Sequence, residues 1–370
     1  MTYQKLLEEI NFPNGGKSPS AIVMAPMEAK GANLDGSVSQ ADLDYFSIRT
    51  KVAGLIITGA MNVNMIGRGF KGQIGIFDDK FIPGLKELAQ TIKKDGSKAI
   101  AQLYHAGREA DITQNGGVAA VPTEMDFPFL THHPRELSAS EIEETIKDFG
   151  RAAKRAIDAG FDGVEIHGAN HYLLQQFFSP YSNHRTDKWG GSLANRMNFP
   201  LAVAKEVCRV VEEYAPEGFI VGYRISPDEV HGETIGYTVD DSMQLVDALL
   251  DQNKLDYIHI SLFTHYDAKP DGHEESYAAL ANKAIKGRAK LIIVNGVFTA
   301  DDALDALNEA DLVAIGRAAL VEPAFMQKIK DGKADTIRTR VENLEELNWP
   351  DDLVEWFHAE NSPLPPVEGI

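Results

Sequence analysis

The chain has 370 residues, of which 44% are hydrophobic, so it is long enough to bury a large core and has the composition of a folded globular protein. Its formal net charge of −19 disfavours binding to nucleic acid, because no basic patch stands out against the acidic background. The single cysteine, Cys208, cannot form an internal disulfide or hold an iron–sulfur cluster, which needs about four thiolates.

The sequence shows neither a secretory signal pattern nor a membrane span. The first residues, MTYQKLLEEINFPNGGK, lack a basic segment followed by an apolar core. No apolar run approaches the roughly 20 residues that a spanning helix needs. We therefore expect a cytoplasmic protein with no membrane partner. The sequence leaves open whether the chain forms a homo-oligomer.

Short apolar runs rich in valine and isoleucine alternate along the chain with longer amphipathic segments. Eight of these runs have little polar alternation, as expected of parallel strands that are buried on both faces. In chain order they are AIVMAPM, GLIITGAM, KAIAQLYHAG, GVEIHGA, FIVGYRIS, LDYIHISL, LIIVNGV and LVAIGRA.

The amphipathic segments between these runs carry helix boundary signals. Glycines stand where two of the helices are expected to end, at Gly96 and Gly160. Three residue pairs have capping-box spacing ahead of a predicted helix: Ser140 with Glu143, Thr238 with Asp241, and Thr299 with Asp302. Eight consecutive strand–helix units predict a (β/α)8 barrel more strongly than an open sheet.

We expect a single domain over residues 1–370, with the barrel at about 20–334, because no linker divides the chain. Two segments do not fit the repeat. A long insertion from Arg108 to Leu137 follows the third strand, and a tail at about 335–370 carries Trp349, Trp356 and the proline-rich SPLPP. Insertions of this length at the end of a barrel strand often cover an active site.

Polar residues and glycines collect at the predicted C-terminal ends of the strands, where barrel active sites lie. In order, these positions are Pro26, Met27, Glu28, Gly59, Ala60, Gln102, His105, His167, Asn170, Tyr172, Arg224, Ser226, Asn295, Gly296, Gly316 and Arg317.

The last two strand ends indicate a phosphate site. The stretches VNGVFTADDA and AIGRAALVEP each place a glycine at the strand end, where backbone N–H groups can approach an anion, and Arg317 adds positive charge. Phosphate sites after the seventh and eighth strands are common in this fold. Two ordinary glycine turns beside a surface arginine are the alternative.

The fourth strand end, in GVEIHGANHYLLQQF, indicates a second site. If the chain turns helical at His167, then His167 and Asn170 share one face and can donate toward one point. Two such donors suit a carbonyl oxygen that gains negative charge during a reaction, and Tyr172 could supply a proton. The alternatives are a structural histidine and a core tyrosine.

These residues, with SPYSNHRTDKWGGSLANR directly after them, resemble the old yellow enzyme family of FMN-dependent oxidoreductases. The resemblance extends from IVMAPM to AIGRAAL, and in detail the chain is similar to the NADH-dependent flavin oxidoreductases of Gram-positive bacteria. It implies a barrel that binds FMN tightly at the strand ends. It also implies NADH or NADPH as reductant and a small electrophilic acceptor, such as an activated alkene or a quinone.

The resemblance also implies roles for individual residues. His167 and Asn170 would bind the substrate carbonyl oxygen, and Tyr172 would protonate the α-carbon. Gln102 would contact the pyrimidine edge of the flavin, and Arg224 would lie near its N1 and O2. The other cofactor-binding positions would be Ala25, Pro26, Met27, Glu28 and Ala60 along the flavin and Asn295, Gly296, Gly316 and Arg317 around the phosphate end. No metal ligand is expected.

Glu28 departs from the family pattern, which has threonine or cysteine hydrogen-bonding toward flavin O4. An ionised glutamate would oppose reduction, a protonated one could donate, and the side chain could instead pair with Lys30 or Arg68. Lys30 stands where many relatives have a substrate-facing aromatic residue, so we expect it to bind substrate. Two other functions stay open: a flavin-binding barrel without ene-reductase activity, and a non-redox enzyme acting on a phosphorylated metabolite.

Overall fold

The computed structural model describes residues 3–360, 362 and 364–370, so Pro363 of the SPLPP stretch lies outside the described residues. Eight parallel strands follow one another around a closed barrel, and the last pairs with the first. They are β1 (Ile22–Met24), β2 (Leu55–Asn62), β3 (Lys98–Tyr104), β4 (Gly163–Gly168), β5 (Ile220–Ile225), β6 (Tyr257–Ile260), β7 (Lys290–Val294) and β8 (Leu312–Ile315). Each lies within or overlaps one of the eight predicted runs, so the predicted (β/α)8 barrel is confirmed.

Helices connect the strands and pack around the barrel. They are α1 (Gln40–Ser47), α2 (Ile82–Lys93), α3 (Ala139–Asp158), α4 (Leu173–Phe178), α5 (Leu193–Tyr214), α6 (Val239–Gln252), α7 (Tyr277–Ile285), α8 (Ala300–Ala306), α9 (Arg317–Val321), α10 (Phe325–Lys330) and α11 (Asp351–His358). Within the described part of the chain, no helix combines the length and the apolarity that crossing a bilayer requires.

Two of the three predicted capping boxes are confirmed, those before α6 and α8. The third is wrong by two residues. Ser138 caps α3 and pairs with Glu141, whereas Ser140 already lies inside the helix. The segment SASEIE satisfies the spacing twice, and Ser138 takes the extended backbone that an N-cap requires, with φ −66° and ψ 161°.

The interior of the barrel is apolar at its N-terminal end and polar at its C-terminal end. Inward positions lie two residues apart on each strand, and the lower ones are buried and apolar: Val23, Leu55, Ile57, Ile100, Tyr257, Ile292 and Leu312. Gly222 on β5 leaves room for the Tyr257 ring, which a Cβ would strike. Further along the same strands come Gln102, Glu165 and Arg224, so these polar groups lie at the end where the site is expected.

The insertion and the tail both lie against this C-terminal end. The insertion contains a short parallel pair, Ala120–Val121 with Arg135–Glu136. The tail is fixed by the buried Arg49, whose guanidinium donates to the carbonyl oxygens of Leu347 and Leu320 at 3.0 and 3.1 Å. The N-terminal hairpin Ile10–Asn11 with Lys17–Ser18 lies at the opposite end, with Phe12 6.0 Å from the Tyr257 ring.

Candidate active site

A cavity of about 370 Å³ opens at the C-terminal end of the barrel. Most of the predicted site residues line it: Ala25, Pro26, Met27, Glu28, Gln102, His167, Asn170, Tyr172, Arg224, Asn295, Gly296, Gly316 and Arg317. Ala60 and Lys30 do not. They border a small cleft behind Glu28. His105 is fully buried and its Nδ1 accepts the Gly107 N–H, so it serves the turn after β3.

The turn after β4 differs from the helical turn that we predicted at His167. The strand continues to Gly168, two residues with left-handed backbone follow, Asn170 (φ 55°) and His171 (φ 65°), and α4 begins only at Leu173. The turn is fixed by hydrogen bonds, because the Asn170 N–H donates to Ser226 Oγ at 2.9 Å. His167 and Asn170 therefore reach the same cavity through a left-handed turn and not through a shared helix face.

The hydrogen bonds around His167 and Asn170 determine which atoms face the cavity. His167 Nδ1 accepts the Ala169 N–H at 3.2 Å, so the ring proton is on Nε2. Burial, with Arg224 nearby, lowers the pKa of His167 well below its usual range, so the ring is neutral. Asn170 Oδ1 accepts the Ser261 hydroxyl at 2.8 Å, which leaves the amide NH₂ as a donor. Both side chains can therefore donate to a ligand in the cavity.

Tyr172 lies beside these donors, with its ring edge-on to two aromatic neighbours. The Tyr104 ring is 4.4 Å away at 78°, and the His167 ring is 5.0 Å away at 86°. Burial raises the pKa of the Tyr172 hydroxyl, and the negative charges of Glu28 and Glu109 act in the same direction. The hydroxyl is therefore protonated at neutral pH.

Gln102 is oriented by two buried residues that we did not predict. Its Nε2 donates to Glu165 Oε1 at 2.7 Å, and Glu165 Oε2 bonds His259 Nδ1 at 2.9 Å. The amide carbonyl of Gln102 is thus free to accept a hydrogen bond from a ligand. Glu165 and His259 are polar residues at inward positions of largely apolar strands. Residues two apart on a strand point to the same face, so their inward orientation could have been predicted from the sequence.

The Arg224 guanidinium is buried on β5, and among the described residues no group accepts a hydrogen bond from its Nε. Burial lowers the pKa of Arg224, although Glu165 partly offsets the effect, and an arginine remains charged at any ordinary pH. Buried donors without partners are costly, so this group points to an electron-rich ligand.

The chain after β7 takes a left-handed path through Asn295 (φ 89°) and Gly296 (φ 83°). Only glycine fits the second position, because a Cβ at Gly296 would collide with the His265 ring. Asn295 Oδ1 accepts Arg317 Nη2 at 3.2 Å and so holds the guanidinium at the cavity edge. This end of the cavity has the donors and the positive charge that a phosphate requires.

The C-terminal tail supplies an apolar wall of the cavity that the sequence did not predict. Its lining residues are Leu353, Trp356, Phe357, Leu364 and Pro365. Lys30 does not line the cavity, but its ammonium lies 4.4 Å from the centroid of the Trp356 ring, which does. The predicted contact of Lys30 with substrate stays a prediction. Trp356 lies more than 300 positions after Lys30 in the chain. No local sequence pattern could therefore indicate that the two residues meet.

Glu28 turns toward the barrel and not toward either predicted cation. Its Oε1 accepts the Ala60 N–H at 3.0 Å, whereas Arg68 donates to the Leu34 carbonyl. β2 has a register shift between Ile57 and Ala60, and a Cβ at Gly59 would lie 2.8 Å from Glu28 Oε2, so glycine makes room for the carboxyl group. Burial raises the pKa of Glu28 to about 7, against the lowering effects of the Ala60 N–H and of Arg224.

The fold and the cavity together define a barrel enzyme whose cavity suits a phosphorylated, electron-rich cofactor and whose lining includes two neutral donors and a tyrosine. A family model described as the NADH:flavin oxidoreductase / NADH oxidase family matches residues 20–336, and the chain belongs to that family. The predicted resemblance to old yellow enzyme is confirmed. The protein is an NAD(P)H-dependent oxidoreductase with FMN as its cofactor.

Individual relatives support this placement. A probable NADH-dependent flavin oxidoreductase of Bacillus subtilis is 42% identical over 358 residues, which are 95% of this chain and 95% of that protein. The NADH:acrylate oxidoreductase of Vibrio harveyi is 43% identical over 334 residues, covering 88% of this chain and 33% of its own length. Morphinone reductase in complex with tetrahydroNAD superimposes with a TM-score of 0.79 and 28% identity, covering 94% of this chain and 96% of that one.

Proposed function

We propose that the chain reduces activated alkenes, quinones or similar electrophilic small molecules with hydride drawn from NADH or NADPH. One observation carries the proposal: His167 and Asn170 present two neutral donors to the same cavity that a protonated Tyr172 lines. Donors aimed at a carbonyl oxygen stabilise the charge that develops when hydride adds to the conjugated carbon. A neighbouring acid then completes the reduction.

The chemistry that FMN supplies when bound is hydride transfer from the nicotinamide to the acceptor. The residues of the chain bind the cofactor and the acceptor and orient them. In our proposal His167 and Asn170 hold the carbonyl oxygen of the acceptor, and Tyr172 gives a proton to the α-carbon.

We also propose how the cofactor is held. The buried Arg224 has an Nε without a partner, and Gln102 has a carbonyl oriented by Glu165, so both fit the pyrimidine edge of the flavin. The left-handed turn at Gly296 and the guanidinium of Arg317 fit the phosphate. The remaining cofactor contacts are proposed at Ala25, Pro26, Met27, Glu28, Ala60, Asn295 and Gly316.

Two relatives are named for alkene acids, the NADH:acrylate oxidoreductase of Vibrio harveyi and the NADH:fumarate oxidoreductase of Klebsiella pneumoniae. This chain spans 33% and 39% of their lengths, so their names support an alkene acceptor without identifying it. Family membership rules out the non-redox alternative that the sequence left open. A flavin-binding barrel without ene-reductase activity remains the competing proposal, and it depends on Glu28.

Glu28 is expected to make flavin reduction pH-dependent. Since the pKa of this carboxyl group is about 7, it is neutral below that pH and ionised above it. An ionised carboxylate opposes the negative charge that the cofactor gains on reduction, by roughly 1–2 kcal/mol, or about 10-fold in rate. The rate of flavin bleaching by NADH, measured by anaerobic stopped flow, should therefore fall as the pH rises through about 7.

Glu28→Gln keeps the size of the side chain and removes its titration, so its rate profile should be flat over this range. Glu213→Gln, a change on the exposed end of α5, is the matched control, and its rate of flavin bleaching should still fall as the pH rises through about 7. If the rate of the Glu28→Gln variant falls over the same pH range, then a group other than Glu28 causes the pH dependence.

Arg317→Ala is expected to release FMN more readily, because it removes a charge-assisted contact to the phosphate worth about 1.5–3 kcal/mol. The dissociation constant should rise by roughly 10- to 100-fold, measured by recovery of flavin fluorescence on dilution. Arg209→Ala, which removes an exposed arginine paired with Glu206, serves as the control. Equal FMN retention in the two variants would contradict the phosphate assignment.

Isotope labelling tests the proposed reaction itself. With NADH that carries deuterium at the transferred position and an α,β-unsaturated ketone as acceptor, the product should carry one deuterium at the β-carbon. With unlabelled NADH in D₂O, it should carry one at the α-carbon. A panel of enones and unsaturated acids completes the test. If NADH is oxidised and none of them gives a saturated product, the proposal that the enzyme reduces alkenes is contradicted.

Two further properties complete the proposal. We propose that barrel and tail form one domain, since Arg49 and the cavity wall join them. We also propose a cytoplasmic location, where the reductant NAD(P)H is available.

A further inference from the structure

Two histidines and a glutamate meet beside the cavity, and the histidines line a neighbouring cleft that shares Asn170, Tyr172 and Trp356 with it. His171 comes from the turn after β4, and Glu229 and His231 come from the hairpin after β5. Their ligand atoms all lie within 4.8 Å of one another. His231 Nε2 is 2.7 Å from Glu229 Oε1, and His171 Nδ1 is 3.9 Å from Glu229 Oε2. Positions 171, 229 and 231 form no ligand motif in the sequence, which is why no metal site was expected.

The cluster has ligand capacity that the protein does not use. His171 Nδ1 is buried, and no described residue bonds it. The side chain of His171 is 32% exposed and that of His231 is 19% exposed, so an ion from solvent can reach them, whereas Glu229 is 1% exposed. The unbonded His171 Nδ1 lies near the buried Glu229 carboxylate, and a cation placed between them could bind to both.

Surrounding groups hold all three side chains in place. Glu229 Oε2 accepts Gln175 Nε2 at 2.7 Å and keeps a free lone pair, whereas Oε1 accepts both Ser179 Oγ at 2.9 Å and His231 Nε2 at 2.7 Å. The His231 ring stacks on Tyr181, with 4.0 Å between the ring centroids. Gln175 also fixes His171, whose backbone N–H donates to Gln175 Oε1 at 2.8 Å. Such outer-shell bonds orient the ligands of metal sites.

We propose that His171, Glu229 and His231 form a binding site for a divalent transition metal ion of the zinc class. Two imidazoles and one carboxylate suit Zn²⁺ better than Mg²⁺ or Ca²⁺, which prefer oxygen ligands. Zinc bonds of about 2.0–2.2 Å place neighbouring ligand atoms roughly 3.3–3.5 Å apart in a tetrahedral site, so side-chain shifts of about 1 Å suffice. Three protein ligands leave one position for water.

The local charge permits a cation. Arg108 faces the cluster, but its Nε is paired with Glu109 at 3.0 Å and its guanidinium lies 4.9 Å from the Phe127 ring. Within the described residues, no ion pair joins Arg108 to Glu229. The ion would replace the hydrogen bond between His231 and Glu229.

An ion at this site would stand beside the cavity. His171 lies between Asn170 and Tyr172 in the chain, and both histidines line the neighbouring cleft, which shares Trp356 with the cavity. We infer that this cleft is the path by which the acceptor enters. We therefore expect bound Zn²⁺ to narrow the path of the acceptor and raise its KM. This second part rests on the proposed function, whereas the binding of the ion does not.

Calorimetric titration of the FMN-loaded protein with Zn²⁺ alone tests the site. One ion per chain is expected. His231→Ala should weaken binding by at least about 100-fold, because loss of an outer-shell partner alone typically costs 10- to 100-fold. His273→Ala, which removes a histidine near Asp240 on α6, is the matched control and should bind as the parent does. Glu229→Gln provides a second variant, checked for folding by circular dichroism.

Equal Zn²⁺ affinity in the His231→Ala and His273→Ala variants, or less than half an ion per chain, would overturn the site. Steady-state kinetics with and without Zn²⁺ then test the entrance role. An acceptor KM that rises several-fold in the parent and not in His231→Ala supports it. Binding that leaves KM unchanged overturns the entrance role and leaves the metal site standing.

Discussion

Replacing His167 and Asn170 together by alanine is expected to weaken the binding of phenol-type ligands by at least about 100-fold. Such ligands place an oxyanion where the carbonyl oxygen of an acceptor is proposed to sit. His167 offers its Nε2 proton because Nδ1 accepts the Ala169 N–H, and Asn170 offers its amide because Oδ1 accepts the Ser261 hydroxyl. Loss of one donor at such a site costs on the order of 2–4 kcal/mol.

The change in flavin absorbance that accompanies phenol binding measures this affinity. A double variant at remote positions, His273→Ala with Asn308→Ala, controls for the loss of two polar side chains. Unchanged phenol affinity in the His167→Ala/Asn170→Ala variant would show that the pair does not bind the oxyanion. A parallel loss of FMN would be visible in the same spectra and would identify a structural effect.

Tyr172→Phe is expected to separate the two halves of the catalytic cycle. The ring keeps its edge-on contacts with Tyr104 and His167, so packing is preserved and only the hydroxyl is removed. Reoxidation of the cofactor by an enone should slow by about 10²- to 10⁴-fold, the usual worth of a positioned acid. Reduction by NADH should change little, because no proton is delivered to the acceptor in that half.

Quinones provide an internal comparison for this variant, because a quinone oxygen can take its proton from water. Their reduction should be nearly as fast in Tyr172→Phe as in the parent. Tyr214→Phe, at the exposed end of α5, controls for removing a phenol elsewhere. If enone and quinone reduction slow equally, or neither slows, Tyr172 is not the proton donor.

The barrel could be predicted because each strand carries its own signal. Runs such as GLIITGAM and LIIVNGV are apolar on both faces, and only parallel strands covered on both sides bury them. Helix starts were less certain, since SASEIE contains the capping spacing twice and only the backbone at Ser138 decides between them. The polar residues at the strand ends could also be predicted locally, because each directly follows or ends an apolar run.

What the sequence could not supply is the contacts between distant segments. The prediction that the chain turns helical at His167 was wrong because Ser226, which directly follows β5, fixes a left-handed turn. The orientation of Gln102 depends on Glu165 and His259, which lie on two other strands. The wall formed by Trp356 and its neighbours depends on where the tail packs, and that position is set by Arg49.

An anaerobic titration of the purified, FMN-loaded protein tests the central claim most directly. NADH or NADPH should bleach the flavin absorbance, and an enone or a quinone added afterwards without oxygen should restore it. A flavin that neither nucleotide bleaches would contradict the oxidoreductase account and support the flavin-binding alternative. Reduction by the nucleotide with no reoxidation by any enone or quinone would contradict the proposed acceptors.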